Sequence, residues 1–169
     1  MQHYKERMKA ARSFLENHDI VPMPESQKLS VIETPTYLRH QIPFAAYMEP
    51  APNDPDQKGF YYVTPVDDDE LLAEHNELSI DHTCVHEAWP GHHLQFVTAN
   101  ASETSRSLPR FLNASATLYE GWALYCEELM VEQGFLNQPE SRFQLLRDRL
   151  WRALRIQIDV ALHCRDMSI

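Results

Sequence analysis

Three histidines and one glutamate fall within eight residues, His86 to His93, in the stretch Cys84-Val85-His86-Glu87-Ala88-Trp89-Pro90-Gly91-His92-His93-Leu94-Gln95. Imidazole nitrogens and carboxylate oxygens are the donors that hold zinc. A glutamate beside a ligating histidine is placed to act as general base on a metal-activated water. The stretch reads as a lengthened form of the helical pattern H-E-x-x-H. On a regular helix, residues four apart lie about 40° apart around the axis and about 6 Å along it, so two such imidazoles can meet one ion. Here Pro90 occupies the fourth position after His86. On an ideal helix His92 would point about 120° away from His86, and His93 would face the right way but lie about 10 Å along the axis.

Pro90 lacks the N–H that would bond the His86 carbonyl, and its ring clashes there. Gly91 accepts the unusual backbone angles that follow. The pair predicts a kink or bulge, a feature frequent at functional sites. With the extra residues bulged out, His92 takes the place of the second ligand and His93 stands in reserve. The plainer alternative is a proline-kinked core helix with surface histidines. Glutamate beside histidine, followed by Gly-His-His, argues against it. Cys84, two residues ahead of His86, reads as a small buried side chain rather than a ligand.

A zinc hydrolase needs a third protein ligand and keeps one position open for water. The candidate is Glu120 in Thr117-Leu118-Tyr119-Glu120-Gly121-Trp122-Ala123-Leu124-Tyr125, 34 residues after His86 and on the next expected helix. Leu118, Trp122 and Tyr125 are expected to bury one stripe of that helix, and Gly121 to admit a close neighbouring helix. Glu127 and Glu128 are read as solvated, or as supporting the ligands. On the last helix Arg152, Arg155, Asp159 and His163 follow three- and four-residue steps and can share one face. His163 is a candidate to stabilise an oxyanion, with Asp159 orienting it or pairing with an arginine. Tyr119 is a second candidate for that role. A salt-bridged helix surface is the alternative for the stripe.

The elements that must position these residues follow from hydrophobic spacing and punctuation. Tyr4, Met8, Ala11 and Leu15 place a helix over residues 3–17, ended by Pro22 and Pro24. Residues 28–33 alternate like a strand, and Gly59-Phe60-Tyr61-Tyr62-Val63-Thr64 is aromatic and β-branched, a second strand. The proline-rich residues 34–58 read as extended chain and loops. Asp67-Asp68-Asp69-Glu70 opens a helix. Another runs from Glu77 or Ser79 to about Asn100 and carries the histidine stretch. Residues 101–114 form a polar connection. A helix from Thr117 to Gln133 ends at Gly134, and Pro139 starts a last one to about Arg165. The result is a mostly helical α+β fold with a small sheet.

At 169 residues the chain suits a single domain with a real core. A net charge of −10 argues against a nucleic-acid or anionic membrane surface, and would not hinder a cation site. The three cysteines Cys84, Cys126 and Cys164 are an odd, widely spaced set that suggests no disulfide framework. No apolar run is long enough for a transmembrane helix. The charged N-terminus carries no signal core, which slightly favours cytoplasm, although a full-length parent could be exported. The C-terminus stops without a clear tail, as expected of a fragment. Asn100 and Asn113 match glycosylation acceptors as readily by chance as by use.

The stretches His86-Glu87-Ala-Trp-Pro-Gly-His92-His93-Leu-Gln, Tyr119-Glu120-Gly-Trp-Ala-Leu-Tyr and Arg152-Ala-Leu-Arg155…Asp159-Val-Ala-Leu-His163 resemble the bacterial family called domain of unknown function 885, from about Ala45 to His163. Phe60-Tyr-Tyr-Val-Thr resembles its strand ahead of the active-site helix. Members are usually several times longer, so residues 1–169 resemble their C-terminal catalytic portion. The resemblance implies a zincin-like core of the group whose third ligand is a glutamate, with oligopeptidases and dipeptidyl peptidase III among the relatives. In those relatives a Gly-His pair supplies the second ligand, which implies His92 rather than His93.

Residues and resemblance together lead to a zinc-dependent peptidase. One Zn2+ is held by His86, His92 and Glu120, with Glu87 as general base and a peptide as substrate. The strand at Gly59–Thr64 is expected to offer an edge to an extended peptide. A non-catalytic metal-binding domain and a metal-free helical interaction module are the rivals. Oligomeric state is left open by the sequence.

Overall fold

The computed structural model describes residues 1–66, 72, 75–109 and 115–168. The helix expected to open at Asp67 and the acceptor at Asn113 lie outside the described residues. The described part is α+β and mostly helical, with one three-stranded sheet.

Helix α1 (Gln2–His18) buries Tyr4, Met8, Ala11 and Leu15, the stripe that its spacing prescribes. It ends at Asp19, whose left-handed backbone (φ 49°) turns the chain before Pro22 is reached. Strand β1 (Lys28–Glu33) follows, then a 3-10 turn (Thr36–Leu38), β2 (Ala45–Met48) and β3 (Lys58–Val63). Strand β2 sits within the proline-rich segment expected to be loop. Its four residues, Ala-Ala-Tyr-Met, are too short a run to show an alternation.

The sheet order is β1-β3-β2, with β3 parallel to β1 and antiparallel to β2. Strand β3 is therefore central. Both its sides are hydrogen-bonded, and the expected free edge at Gly59–Thr64 does not exist: the edges belong to β1 and β2. The aromatic, β-branched composition that marks β3 as a strand is equally what a buried middle strand requires. Gly59, Tyr61 and Val63 alternate onto its buried face.

Helix α2 (Glu77–Glu87) lies against α1 and starts at Asn76, whose side chain accepts from the Ser79 N–H at 3.0 Å. Arg7 of α1 grips Asp81 of α2 through Nε and, at 2.9 Å, Nη2. Helix α3 (His92–Ala101) continues the histidine stretch after a break. Next come a 3-10 turn (Glu103–Arg106), α4 (Ala116–Glu132) and α5 (Pro139–Cys164). Gly134, at φ +83°, stops α4, and Pro139 opens the first turn of α5.

The buried stripe of α4 differs from expectation. Ala123, Cys126, Glu127 and Met130 are buried, whereas Leu118 (66 % exposed) and Tyr125 (53 %) face outward. Trp122 is half-buried against the core. The three expected positions form an apolar stripe, but the helix turns a glutamate inward for a polar contact described below. Nor does Gly121 meet a neighbouring helix: a Cβ there would find no atom within 4 Å.

Candidate metal centre

The break between α2 and α3 builds the site. The Ala88 N–H still bonds to the Cys84 carbonyl at 3.1 Å, an ordinary helical step. Then Gly91 N–H reaches Val85 O at 3.0 Å and Leu94 N–H reaches Ala88 O at 3.2 Å, both six residues back. Two residues beyond a normal turn are thus looped out, and α3 begins at His92. The Trp89–Pro90 peptide is cis. The loop is pinned from both sides. Trp89 Nε1 donates to Gln27 Oε1 at 2.8 Å, and Trp122 Nε1 of α4 donates to Pro90 O at 2.9 Å. Gly91 is required by space: a Cβ would lie 1.8 Å from the His86 carbonyl oxygen.

The loop swings the His92 ring to 4.8 Å from the His86 ring, edge to face. Glu120, on the first turns of α4, closes the triangle. His86 Nε2 lies 3.5 Å from Glu120 Oε2, and His92 Nε2 lies 3.6 Å from Glu120 Oε1. One donor atom from each of the three residues falls within 4.8 Å of the others. Atoms that share one zinc at about 2.0–2.2 Å stand a little over 3 Å apart, so the cluster needs a small contraction to close on an ion. Both imidazoles are largely buried and the Glu120 side chain is 53 % exposed, which leaves the cluster open on the glutamate side.

His93 is not part of the cluster. Its ring is fully buried, its Nδ1 pairs with the Tyr47 hydroxyl at 3.0 Å, and Gly59 of β3 lies directly beneath it. Burial, with Arg12 nearby, holds it neutral down to about 4. His92 is likewise held at about 4, by burial and by the His86 charge, so it offers a free lone pair at neutral pH. Cys84 is buried with its thiol directed at the Tyr4 carbonyl, 3.8 Å away.

The residue that sequence reasoning undervalued is Glu127. It is 1 % exposed, and its Oε1 accepts from His86 Nδ1 at 2.7 Å and from Arg152 Nη2 of α5 at 3.2 Å. His82 stands 3.9 Å from its other oxygen, ion-pair range rather than a hydrogen bond. Burial alone would raise this carboxyl. The two histidines and Arg152 outweigh it and hold the group at about 2. One signal was available: Glu127 lies two helical turns after Glu120 and so follows it on the same face of α4.

Glu87 ends α2 and lines a polar cavity of about 130 Å³ with His82, His86, Glu127, Asp148 and Arg152. Burial lifts its carboxyl above the ordinary range; the His86 charge works against this, and Glu120 and Glu127 add to it. Tyr119 packs its ring edge-on against His92 at 5.9 Å. His163 lies on the exposed second half of α5, bonded through Nδ1 to the Asp159 carbonyl at 2.9 Å and 3.3 Å from its carboxylate. Arg152 leaves the expected arginine–aspartate stripe to join Glu127.

Two imidazoles and a carboxylate converging at a helix break define a candidate metal centre on an α+β chain. The chain belongs to the family described as bacterial protein of unknown function (DUF885), whose model matches residues 1–169. No curated protein matches it. A crystal structure described as a "putative lipoprotein" from Colwellia psychrerythraea is similar in fold, with a TM-score of 0.76 at 23 % identity. That match covers 97 % of this chain and 28 % of the other, so the chain spans little more than a quarter of its neighbour's length.

Proposed function

We propose that the cluster is the centre of a zinc-dependent hydrolase with a zincin-like core, acting on peptides. The observation that carries this reading is the convergence of His86, His92 and Glu120, with Glu87 following His86 directly in the chain. Two histidines and one glutamate are a donor set that catalytic zinc uses, and three protein donors leave a position for water. The open side at Glu120 suits that position.

A zinc ion bound here would supply Lewis acidity, polarising a carbonyl and acidifying water. The chain's own residues do the rest. Glu127 accepts from His86 Nδ1, so a ring that gives up its Nε2 proton to metal binding presents that lone pair toward Glu120 and His92. Glu87 takes a proton from the attacking water and passes it to the leaving amine. Its burial-raised basicity suits both transfers. Tyr119, whose ring packs against His92, is a candidate to help hold the developing oxyanion. His163, on the exposed second half of α5, is the other candidate for that role.

Elemental analysis of the purified protein, with His86→Ala and Glu120→Ala alongside, tests the reading. The expected result is about one zinc per chain, lost in both variants. Glu87→Gln should keep the metal and lose peptide hydrolysis by about a hundredfold or more. A wild-type protein that takes up no zinc ends the proposal.

A further inference from the structure

A groove of about 770 Å³ runs from the candidate ligand Glu120 along α4 and the second half of α5. Its walls include Glu120 and Leu124 from α4, and Arg152, Arg155, Ile156 and Leu162 from α5. This is the arginine stripe noted in the sequence, and the hydrolytic chemistry above leaves most of it unused.

The five arginines of α5 are not alike. Arg142 and Arg149 hold Glu128, Arg147 holds Asp148, and Arg152 holds Glu127. Arg155 alone has no hydrogen bond or ion pair among the described residues. Asp159, the acidic group on the same wall, is turned to His163 at 3.3 Å. The groove thus offers one uncommitted guanidinium beside aliphatic side chains, with the Asp159 and Glu120 carboxylates also on its walls and Ile156 66 % exposed. Guanidinium is a planar fork that matches a carboxylate with two parallel hydrogen bonds.

We infer that this groove reads the free carboxyl end of a peptide, with Arg155 binding the terminal carboxylate and Leu124, Ile156 and Leu162 receiving an apolar last side chain. A terminal residue carries carboxylate and side chain on one Cα, so a single cation beside apolar walls suits it. An acidic side chain within a longer peptide would bring polar backbone on both flanks against those walls, at a desolvation cost. Because Glu120 lines the groove and also completes the cluster, the bond presented for hydrolysis lies close to the carboxyl end. The inference rests on the hydrolase reading and narrows it to peptides trimmed from that end.

The test compares two probes on zinc-loaded protein, an N-blocked tetrapeptide ending in leucine as the free acid and the same peptide as its C-terminal amide. Wild type should favour the acid by about tenfold or more in kcat/KM, the range expected for one hydrogen-bonded charge pair. Arg155→Met should abolish that preference, chiefly through KM, and leave the amide within about twofold. Arg155→Lys should recover part of it. Equal cleavage of acid and amide by wild type, or equal losses on both in Arg155→Met, overturns the inference while leaving the hydrolase intact. The latter outcomes are expected if further polypeptide of a longer parent, rather than substrate, fills the groove. Zinc-loaded wild type that cleaves neither probe, with its metal content verified, removes the hydrolase reading and the inference together.

Discussion

His86 Nδ1 lies 2.7 Å from the carboxylate of Glu127, which is almost wholly buried and also accepts from Arg152. The contact fixes the ring's orientation and decides which nitrogen is left for an ion. Glu127→Gln keeps an acceptor oxygen but loses the charge, and Glu127→Ala loses both. Partners of this kind contribute about 10- to 100-fold to metal affinity. Zinc competition titrations should place Glu127→Gln nearer wild type and Glu127→Ala at the weaker end. Unchanged affinity in both would separate Glu127 from the centre.

Gly91 and Gly121 should respond oppositely to alanine. At Gly91 the added carbon would sit 1.8 Å from the His86 carbonyl oxygen, a backbone atom that cannot swing aside. Gly91→Ala should destabilise at or beyond the upper end of the usual overpacking cost of about 1–3 kcal/mol, and abolish zinc binding because His92 moves with the loop. Gly121 sits inside α4 with open space at its Cβ. Gly121→Ala should stabilise by about 0.5–1 kcal/mol, raising Tm by about 1–4 °C. Thermal melts of the two variants check both signs.

Much of this architecture is legible in the chain, and the misses share a cause. The α1 stripe, the α2–α3 break and the Gly134 stop each follow from local rules, periodicity, a missing N–H and a positive φ. The choice of His92 over His93 is legible only in part. It depends on how far the loop swings and on the space that Gly59 leaves for His93 from a distant strand. The burial of Glu127 and the exposure of Leu118 and Tyr125 depend on which face of α4 meets His86, a tertiary fact. The central place of β3 likewise depends on a pairing with β2, too short to announce itself.

Metal removal should distinguish the two adjacent histidines. Zinc at about 100 times its dissociation constant should stabilise the protein by about 2.7 kcal/mol, a Tm increase of about 5–11 °C at this chain length. A chelator should reverse the increase. His92→Ala should abolish the zinc-dependent shift. His93→Ala should instead lower Tm with and without zinc, because it leaves a cavity beside Gly59 and strips Tyr47 of its partner, while the zinc-dependent increase persists. The reverse pattern in calorimetry would reassign the second ligand.

The cysteines report on the same core by a route independent of metal. Cys84 and Cys126 are buried, and Cys164 is exposed near the end of α5. Burial, with Glu127 adding, pushes the Cys126 thiol up to about 12, and burial with Asp81 nearby raises Cys84 as well. Thiols react as thiolates. At pH 8 a group titrating at about 12 is ionised in about one molecule in ten thousand, and its fraction grows only as pH climbs toward that value. Intact-mass measurement of the native protein after alkylation at pH 8 should therefore show a single adduct, on Cys164, and three adducts in denaturant. A variant that loosens the packing of α2 against α4, such as Gly91→Ala, should acquire the second and third adducts without denaturant. If it keeps a single adduct while losing zinc, the damage is confined to the loop itself.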